Sequence, residues 1–266
     1  MSASPGSNKF AAVTGATGAI GNAIAAQLAA QGYHVVLITR NPEKSSQTVA
    51  EIKKKTGNNN VHFVIADLSK RMSIQSLAAS WTGPLHILVN NAAISPPNRR
   101  ETTERIELQF ATNVLGYFWM TEFFSPILID SSPARVVNVA SYWAGGLDLE
   151  DLEFKIRSYH NHTSYRQSKQ ADRMLTPIFA RNFDRAGVTV NACHPGDVNS
   201  SLSNSLGFGG SQSPDEGAKT PVWLAASKSV HNITGKYFEH QKETYCPYGS
   251  DLLKSQQLYE ICQSYT

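Results

Sequence analysis

Thr14-Gly15-Ala16-Thr17-Gly18-Ala19-Ile20-Gly21 joins the short apolar run Phe10-Ala-Ala-Val-Thr14 to an alanine-rich stretch. That stretch carries Ile20, Ile24 and Leu28 at helical spacing and closes at Gly32. A short apolar run ending at glycine reads as a buried strand, and the spacing after it reads as a helix. A glycine turn between a strand and a helix lets backbone approach a pyrophosphate. The helix N-terminus adds N–H donors and the positive end of its dipole. The stretch is read as a nucleotide-binding turn, with Gly15, Thr17, Gly18, Ile20 and Gly21 as candidate cofactor contacts. Tight turns need glycine anyway, so the placement between strand and helix is what matters.

Outward from this turn the same alternation repeats. His34–Thr39, 61–65, 85–89, 135–140, 188–193 and 235–238 read as further strands. Helices are expected from Pro42 to near Gly57, from Lys70 to Trp81, over Glu101–Ile129, from near Tyr165 to about Arg185, and over Pro214–Ser227. Short apolar strands alternating with helices predict an α/β fold: a doubly wound, Rossmann-like parallel sheet with helices on both faces. The connections are short, so residues 9–266 read as one domain behind a flexible polar tail over 1–8. The irregular stretches are 95–100, 145–163 and 200–213. In such sheets a ligand lies beyond the carboxyl ends of the strands.

Whole-chain properties exclude several classes. The 266 residues are 41% hydrophobic, enough for a sizeable core, and the net charge is only +3. No basic block suggests a nucleic-acid tract; Lys53-Lys54-Lys55 reads as the wet end of a helix. Cys193, Cys246 and Cys262 show neither pairing nor metal-type spacing, which suits a reducing compartment. His160 and His162 lack an evident third ligand, so no metal is expected. No stretch approaches the roughly 20 apolar residues of a membrane span. The chain is expected to be soluble and cytoplasmic.

The residue after the second strand decides the cofactor. A carboxylate there suits the ribose of NAD, and an arginine suits the 2′-phosphate of NADP. The strand ends Ile38-Thr39-Arg40-Asn41 with no acid before Glu43, which points to NADP(H). Asp67-Leu68 and Asn90-Asn91-Ala92-Ala93 follow the third and fourth strands, where a cofactor would run. Asp and Asn also favour turns, so turn chemistry accounts for them equally well. Tyr165 and Lys169 stand four apart on one helix face. A cation beside a phenol favours its anion, which makes a usable acid near neutral pH.

With these pieces in place the chain resembles the short-chain dehydrogenase/reductase family over nearly its whole length. Thr14–Gly21 is similar to the family's glycine turn, and Asn90–Ala93 to its Asn-Asn-Ala-Gly segment. Asn113, Ser141, Tyr165 and Lys169 resemble its catalytic tetrad. His194-Pro195-Gly196-Asp197-Val198-Asn199-Ser200 resembles the loop that closes over the nicotinamide, which adds Pro195, Gly196, Val198 and Ser200 to the candidate cofactor contacts beside Asp67, Leu68, Asn91 and Ala92. The wide gap from Ser141 to Tyr165, the HPG triplet, and 235–238 followed by Glu243 and Cys246 resemble the retinol-dehydrogenase-like subgroup. Four departures stand out. Ala19 replaces a glycine, and the Gly15-x-x-Gly18-x-x-Gly21 spacing is closer to extended epimerases and ketoreductase modules. Ala93 replaces another glycine, and Asp197 is unusual in its loop.

The resemblance implies an oxidoreductase interconverting an aldehyde or ketone with an alcohol. Tyr165 would exchange the proton, and Lys169 would tune Tyr165 and hold the nicotinamide ribose. Ser141 would bond the carbonyl oxygen, and Asn113 would hold a relay water. It also suggests a homodimer or homotetramer formed through the long helices. The other readings are a non-catalytic NADP-binding sensor or scaffold, and a sugar-nucleotide-type reductase on the same fold. Tyr142, Trp143, Tyr159, Leu206 and Phe208 are candidates for an apolar substrate pocket, with His160, His162 and Arg99 adding polarity.

Overall fold

The computed structural model describes residues 8–266. The tail expected over 1–8 lies outside them as far as residue 7. The strands are β1 (Phe10–Thr14), β2 (His34–Thr39), β3 (Val61–Ile65), β4 (Ile87–Asn90), β5 (Ala134–Val139), β6 (Val188–His194), β7 (Tyr237–Glu239) and β8 (Lys242–Glu243). They form one sheet in the order β3-β2-β1-β4-β5-β6-β7-β8. All neighbours are parallel except β7 and β8, a short antiparallel edge pair that the sequence pattern had not shown. The order reverses between β1 and β4, which opens a crevice beyond their carboxyl ends.

Helices cover both faces. α1 (Ala19–Ala30), α2 (Pro42–Thr56), α9 (Pro214–Gly217) and α10 (Lys219–Ala226) lie on one side. Ile24, Leu28, Val35, Leu37, Ile52 and Val89 form the core there. On the other side are α3 (Arg71–Ser80), α5 (Gly116–Phe123), α6 (Ser125–Asp130) and α7 (Asn161–Asn182). Beside the one-turn α11 (Pro247–Ser250), a C-terminal helix, α12 (Leu252–Gln263), packs on α7 and was not foreseen. Its Leu258, Tyr259 and Cys262 are buried, and Tyr259 meets Phe118 and Phe179 edge to face. Phe118 and Phe124 are fully buried here, each contributing about 1.5–3 kcal/mol.

The helix expected over Glu101–Ile129 begins only with α4 (Leu108–Phe110). The Glu107 carboxylate caps that start by accepting from the N–H groups of Gln109 and Phe110 at 2.8 and 2.7 Å. Residues 101–107 turn back instead, closed by a bridge between Glu101 and Glu107. A π-helical turn, Ala111–Leu115, follows and carries Asn113. The 200–213 stretch, read as irregular, holds the short helix α8 (Ser201–Ser205). Among the described residues no helix is long and apolar enough to cross a membrane.

A buried polar ladder fixes α7 against the sheet. Asn90 on β4 donates to Asn138 on β5 at 3.0 Å, and Asn138 donates to the Thr176 hydroxyl on α7 at 3.0 Å. Buried amides must find partners, so this ladder sets the height of α7 above β5. That height decides where the side chains at the start of α7 meet the strand ends.

Candidate active site

The glycine turn fits the pyrophosphate of a dinucleotide. Gly15 has φ 64°, and a Cβ there would stand 2.8 Å from the Ala92 Cα. A Cβ on Gly21 would stand 2.5 Å from the Gly15 carbonyl oxygen and 2.6 Å from Asn91 Nδ2. These two glycines let α1 rest on the turn and the turn rest on the end of β4. Gly18 caps α1 without any side-chain hydrogen bond, and the first turn of the helix carries no acid. Its N–H donors and dipole therefore point into the crevice unblocked. Thr17 is exposed at the turn, and Ile20 faces the cavity described below.

Arg40 stands one residue beyond β2, exposed, and among the described residues it joins no ion pair. Its neighbour Asn41 caps α2, accepting from Lys44 N at 2.9 Å. The other strand-end candidates are held more firmly. Asp67 Oδ1 accepts from Ser69 N and Ser69 Oγ at 3.1 and 2.7 Å, which is turn chemistry. Leu68 is buried, with its carbonyl close above Gly116. Asn91 Nδ2 donates to the Thr14 carbonyl at 2.9 Å, and the N–H groups of Asn91 and Ala92 donate to Thr14 Oγ1. The Asn91 amide thus stitches β4 to β1, and it shapes the crevice wall from behind.

Tyr165 and Lys169 occupy the first turns of α7, and Ser141 follows β5. All three are buried, Lys169 at 2% exposure. Ser141 Oγ accepts from Trp143 N at 3.0 Å, which fixes the hydroxyl. Burial and then the negative charge of Asp172 raise the Tyr165 phenol above its ordinary value, and the Ser141 hydroxyl pulls it back. Lys169 Nζ donates to the Val139 carbonyl and to Asp172 Oδ2, each at 2.9 Å, and to Tyr117 Oη at 3.4 Å. Its ammonium lies 6.0 Å from the Tyr165 ring centre.

Asn113 is brought to the same place by the π-helical turn. Its Oδ1 accepts from Ile94 N at 2.9 Å, and its Nδ2 donates to Ile94 O and to Ser168 Oγ at 3.0 and 3.2 Å. Ser168 Oγ in turn donates to the Tyr165 carbonyl at 2.8 Å. The amide clamps the loop after β4 against α7, through the Ile94 backbone on one side and the Ser168 hydroxyl on the other.

A cavity of about 580 Å³ opens onto Ser141 and Tyr165. Tyr142, Trp143, Leu206 and Phe208 wall it, together with Pro195, Gly196, Val198 and Ser200. Trp143 meets Phe208 edge to face at 5.2 Å. Gly196 has φ 105° and abuts Gln212, and Val198 bridges to Gln212. The Ser200 hydroxyl is occupied in a capping box with Ser203 at the start of α8. Tyr159 does not line the cavity; its hydroxyl lies 2.9 Å from both Pro96 O and the Gln109 side-chain amide. Arg99 is likewise turned away, to Glu101 and the Glu153 carbonyl. His160 meets His162 edge to face, and His162 meets the Trp143 ring in the same way. His194 is buried beside Tyr142, and burial lowers its imidazole to about 4.

Sequence reading missed Asp172, Tyr117 and Arg173. Asp172 sits three residues after Lys169 on the same helix face, a spacing that could have revealed it. Tyr117 comes from α5 and carries no such signal. Arg173 Nη1 reaches the Ser141 carbonyl at 3.4 Å, with its guanidinium 3.7 Å from the Tyr237 ring centre.

Comparison with known proteins agrees with this architecture. The short chain dehydrogenase family model matches residues 9–207. Human retinol dehydrogenase 13 is 32% identical over 255 residues, covering 88% of this chain and 77% of its own. Human polyprenol dehydrogenase is 34% identical over 262 residues, covering 90% and 79%. The fold is also that of the Pseudomonas aeruginosa RhlG/NADP active-site complex, with a TM-score of 0.71 at 23% identity over 90% of this chain and 97% of that one.

Proposed function

The chain belongs to the short-chain dehydrogenase family and is an NAD(P)-dependent oxidoreductase, and from that premise we propose that it is an NADPH-dependent carbonyl reductase, or the reverse alcohol dehydrogenase, acting on apolar or aromatic aldehydes and ketones. The observation that carries this reading is the cavity itself. Trp143, Leu206 and Phe208 line the same cavity as Ser141 and Tyr165. The names of the two human relatives refer to apolar alcohols, which agrees with such a wall.

When bound, the nicotinamide cofactor supplies or accepts the hydride. The glycine turn Gly15–Gly21 would hold its pyrophosphate, Arg40 its 2′-phosphate, and the Pro195–Ser200 loop its nicotinamide end. The chain's own residues handle the substrate oxygen. Ser141, oriented by Trp143 N, donates a hydrogen bond where negative charge develops. Tyr165 gives its proton to that oxygen in reduction and takes it back in oxidation. A raised phenol keeps its proton through neutral pH, which is the form that reduction needs.

The test is NADPH oxidation monitored with a panel of aldehydes and ketones. Apolar and aromatic carbonyls should turn over, and Tyr165→Phe should lose about 10²–10⁴-fold in rate while still binding NADPH. A panel in which only small charged keto acids react would overturn the substrate class. Wild-type turnover in the Phe variant would overturn the acid.

A further inference from the structure

Lys169 differs from a simple cation beside a phenol. Its three N–H bonds all end on buried acceptors of the protein: Val139 O, Asp172 Oδ2 and Tyr117 Oη. The Lys169 and Asp172 side chains are 2% and 0% exposed. Asp172 Oδ1 is buried with no hydrogen-bond partner among the described residues. A carboxylate placed this way is expensive to desolvate, so its one ion pair is strongly coupled. A single ammonium would bias the phenol toward its anion, whereas an ammonium bound to a carboxylate presents a nearly neutral pair.

Resting on the carbonyl-reductase reading, we infer that Asp172 is a positioning residue for proton transfer: it holds Lys169 toward the core and cancels its charge, so Tyr165 answers to the pair and not to the lysine. The groups that face Asp172 are Lys169 and Tyr165 on its own helix, Tyr117 on α5 and Cys262 on α12; Cys193 on β6 faces the lysine. Lys169 is the one cation among these, and it is what lowers the Asp172 carboxyl. Burial pushes the Asp172 carboxyl up, and Lys169 holds it down. Tyr117 and Tyr165 are both raised in part by the Asp172 charge. To engage a nicotinamide ribose, Lys169 must also give up one of its three acceptors, which ties cofactor engagement to the same carboxylate.

Asp172→Asn keeps the shape and removes the charge, and Asp172→Ser is a smaller neutral replacement. Reduction needs Tyr165 protonated, so its rate falls as pH rises through the phenol's titration. Either neutral variant should move that alkaline limb down, by about one pH unit for the loss of one nearby negative charge. Asp172→Glu should keep the wild-type profile. Superimposable profiles in wild type and both neutral variants would reduce Asp172 to a structural role. A second readout needs no turnover: phenolate absorbance during alkaline titration, with Tyr165→Phe subtracted in each background. A Tyr165 phenolate that appears at lower pH in Asp172→Asn supports the inference even if no carbonyl on the panel reacts, which would instead count against the reductase reading. An unmoved phenolate overturns it.

Discussion

Arg40 and Lys169 sit at opposite ends of the same crevice and hold their charge in opposite ways. Arg40 is exposed at the end of β2 and, among the described residues, pairs with no carboxylate. Lys169 is buried, and every donor is matched by a protein acceptor. Water solvates the first cation, so it costs the fold little and can be spent on a ligand. The second must be neutralised where it stands, because an unpaired charge in the core costs several kcal/mol. A wet charge can therefore select a cofactor through one residue. A dry one works only as part of a set, and the set includes Asp172.

The contrast predicts unequal consequences for removing the two cations. Lys169→Met should leave the Asp172 carboxylate alone in the core and lower stability at neutral pH by about 3–5 kcal/mol, read by urea denaturation. Lys169→Met combined with Asp172→Leu should recover most of that loss. A carboxyl whose folded value is raised contributes stability that is present at low pH and lost as pH rises through that value. The single variant should therefore be least impaired in acid. If single and double variants are equally unstable, the pair is not what Lys169 stabilises.

At the wet end the effect is smaller and appears in binding. We expect NADP(H) to bind about ten- to a hundredfold more tightly than NAD(H), and Arg40→Asp to reverse the order without loss of stability. Added salt should narrow the gap, because the contact is exposed. Calorimetric titration of both cofactors decides it, and equal affinities would remove Arg40 from the site.

A third effect sharpens the same rule for a group buried neutral. The unfolded His194 imidazole takes up a proton near its ordinary value of 6.5, and the folded one resists until about 4. Its contribution is therefore present above 6.5 and lost as pH falls toward 4. The stability difference between wild type and His194→Gln should shrink over that window, by at most about 3 kcal/mol for the full shift. Burial raises the Asp172 and Glu107 carboxyls, which act in the opposite sense. Both are present in wild type and variant, so they cancel in the difference. A pH-independent difference would mean that the imidazole titrates normally.

What the chain dictated alone is what short-range pattern can carry. The apolar run ending at Gly15 and the span from Pro42 to Gly57 gave a strand and a helix close to their observed bounds, because strand and helix periods depend on neighbours along the chain. Arg40 could be placed because it is one residue from a strand end, and Tyr165 with Lys169 because four residues make one helical turn. Only the tertiary structure decided which side chains were already occupied. Asn113 is spent on Ile94, Asn91 on Thr14, Ser200 on its own helix cap, and Tyr159 on Pro96. It also decided that Lys169 answers to Asp172, Tyr117 and Val139, and that helix α12 closes the core over Phe118. Most of these commitments join segments distant in sequence, and burial forces the buried ones: a polar group taken out of water must find a partner, and which partner is near is a property of the packed fold.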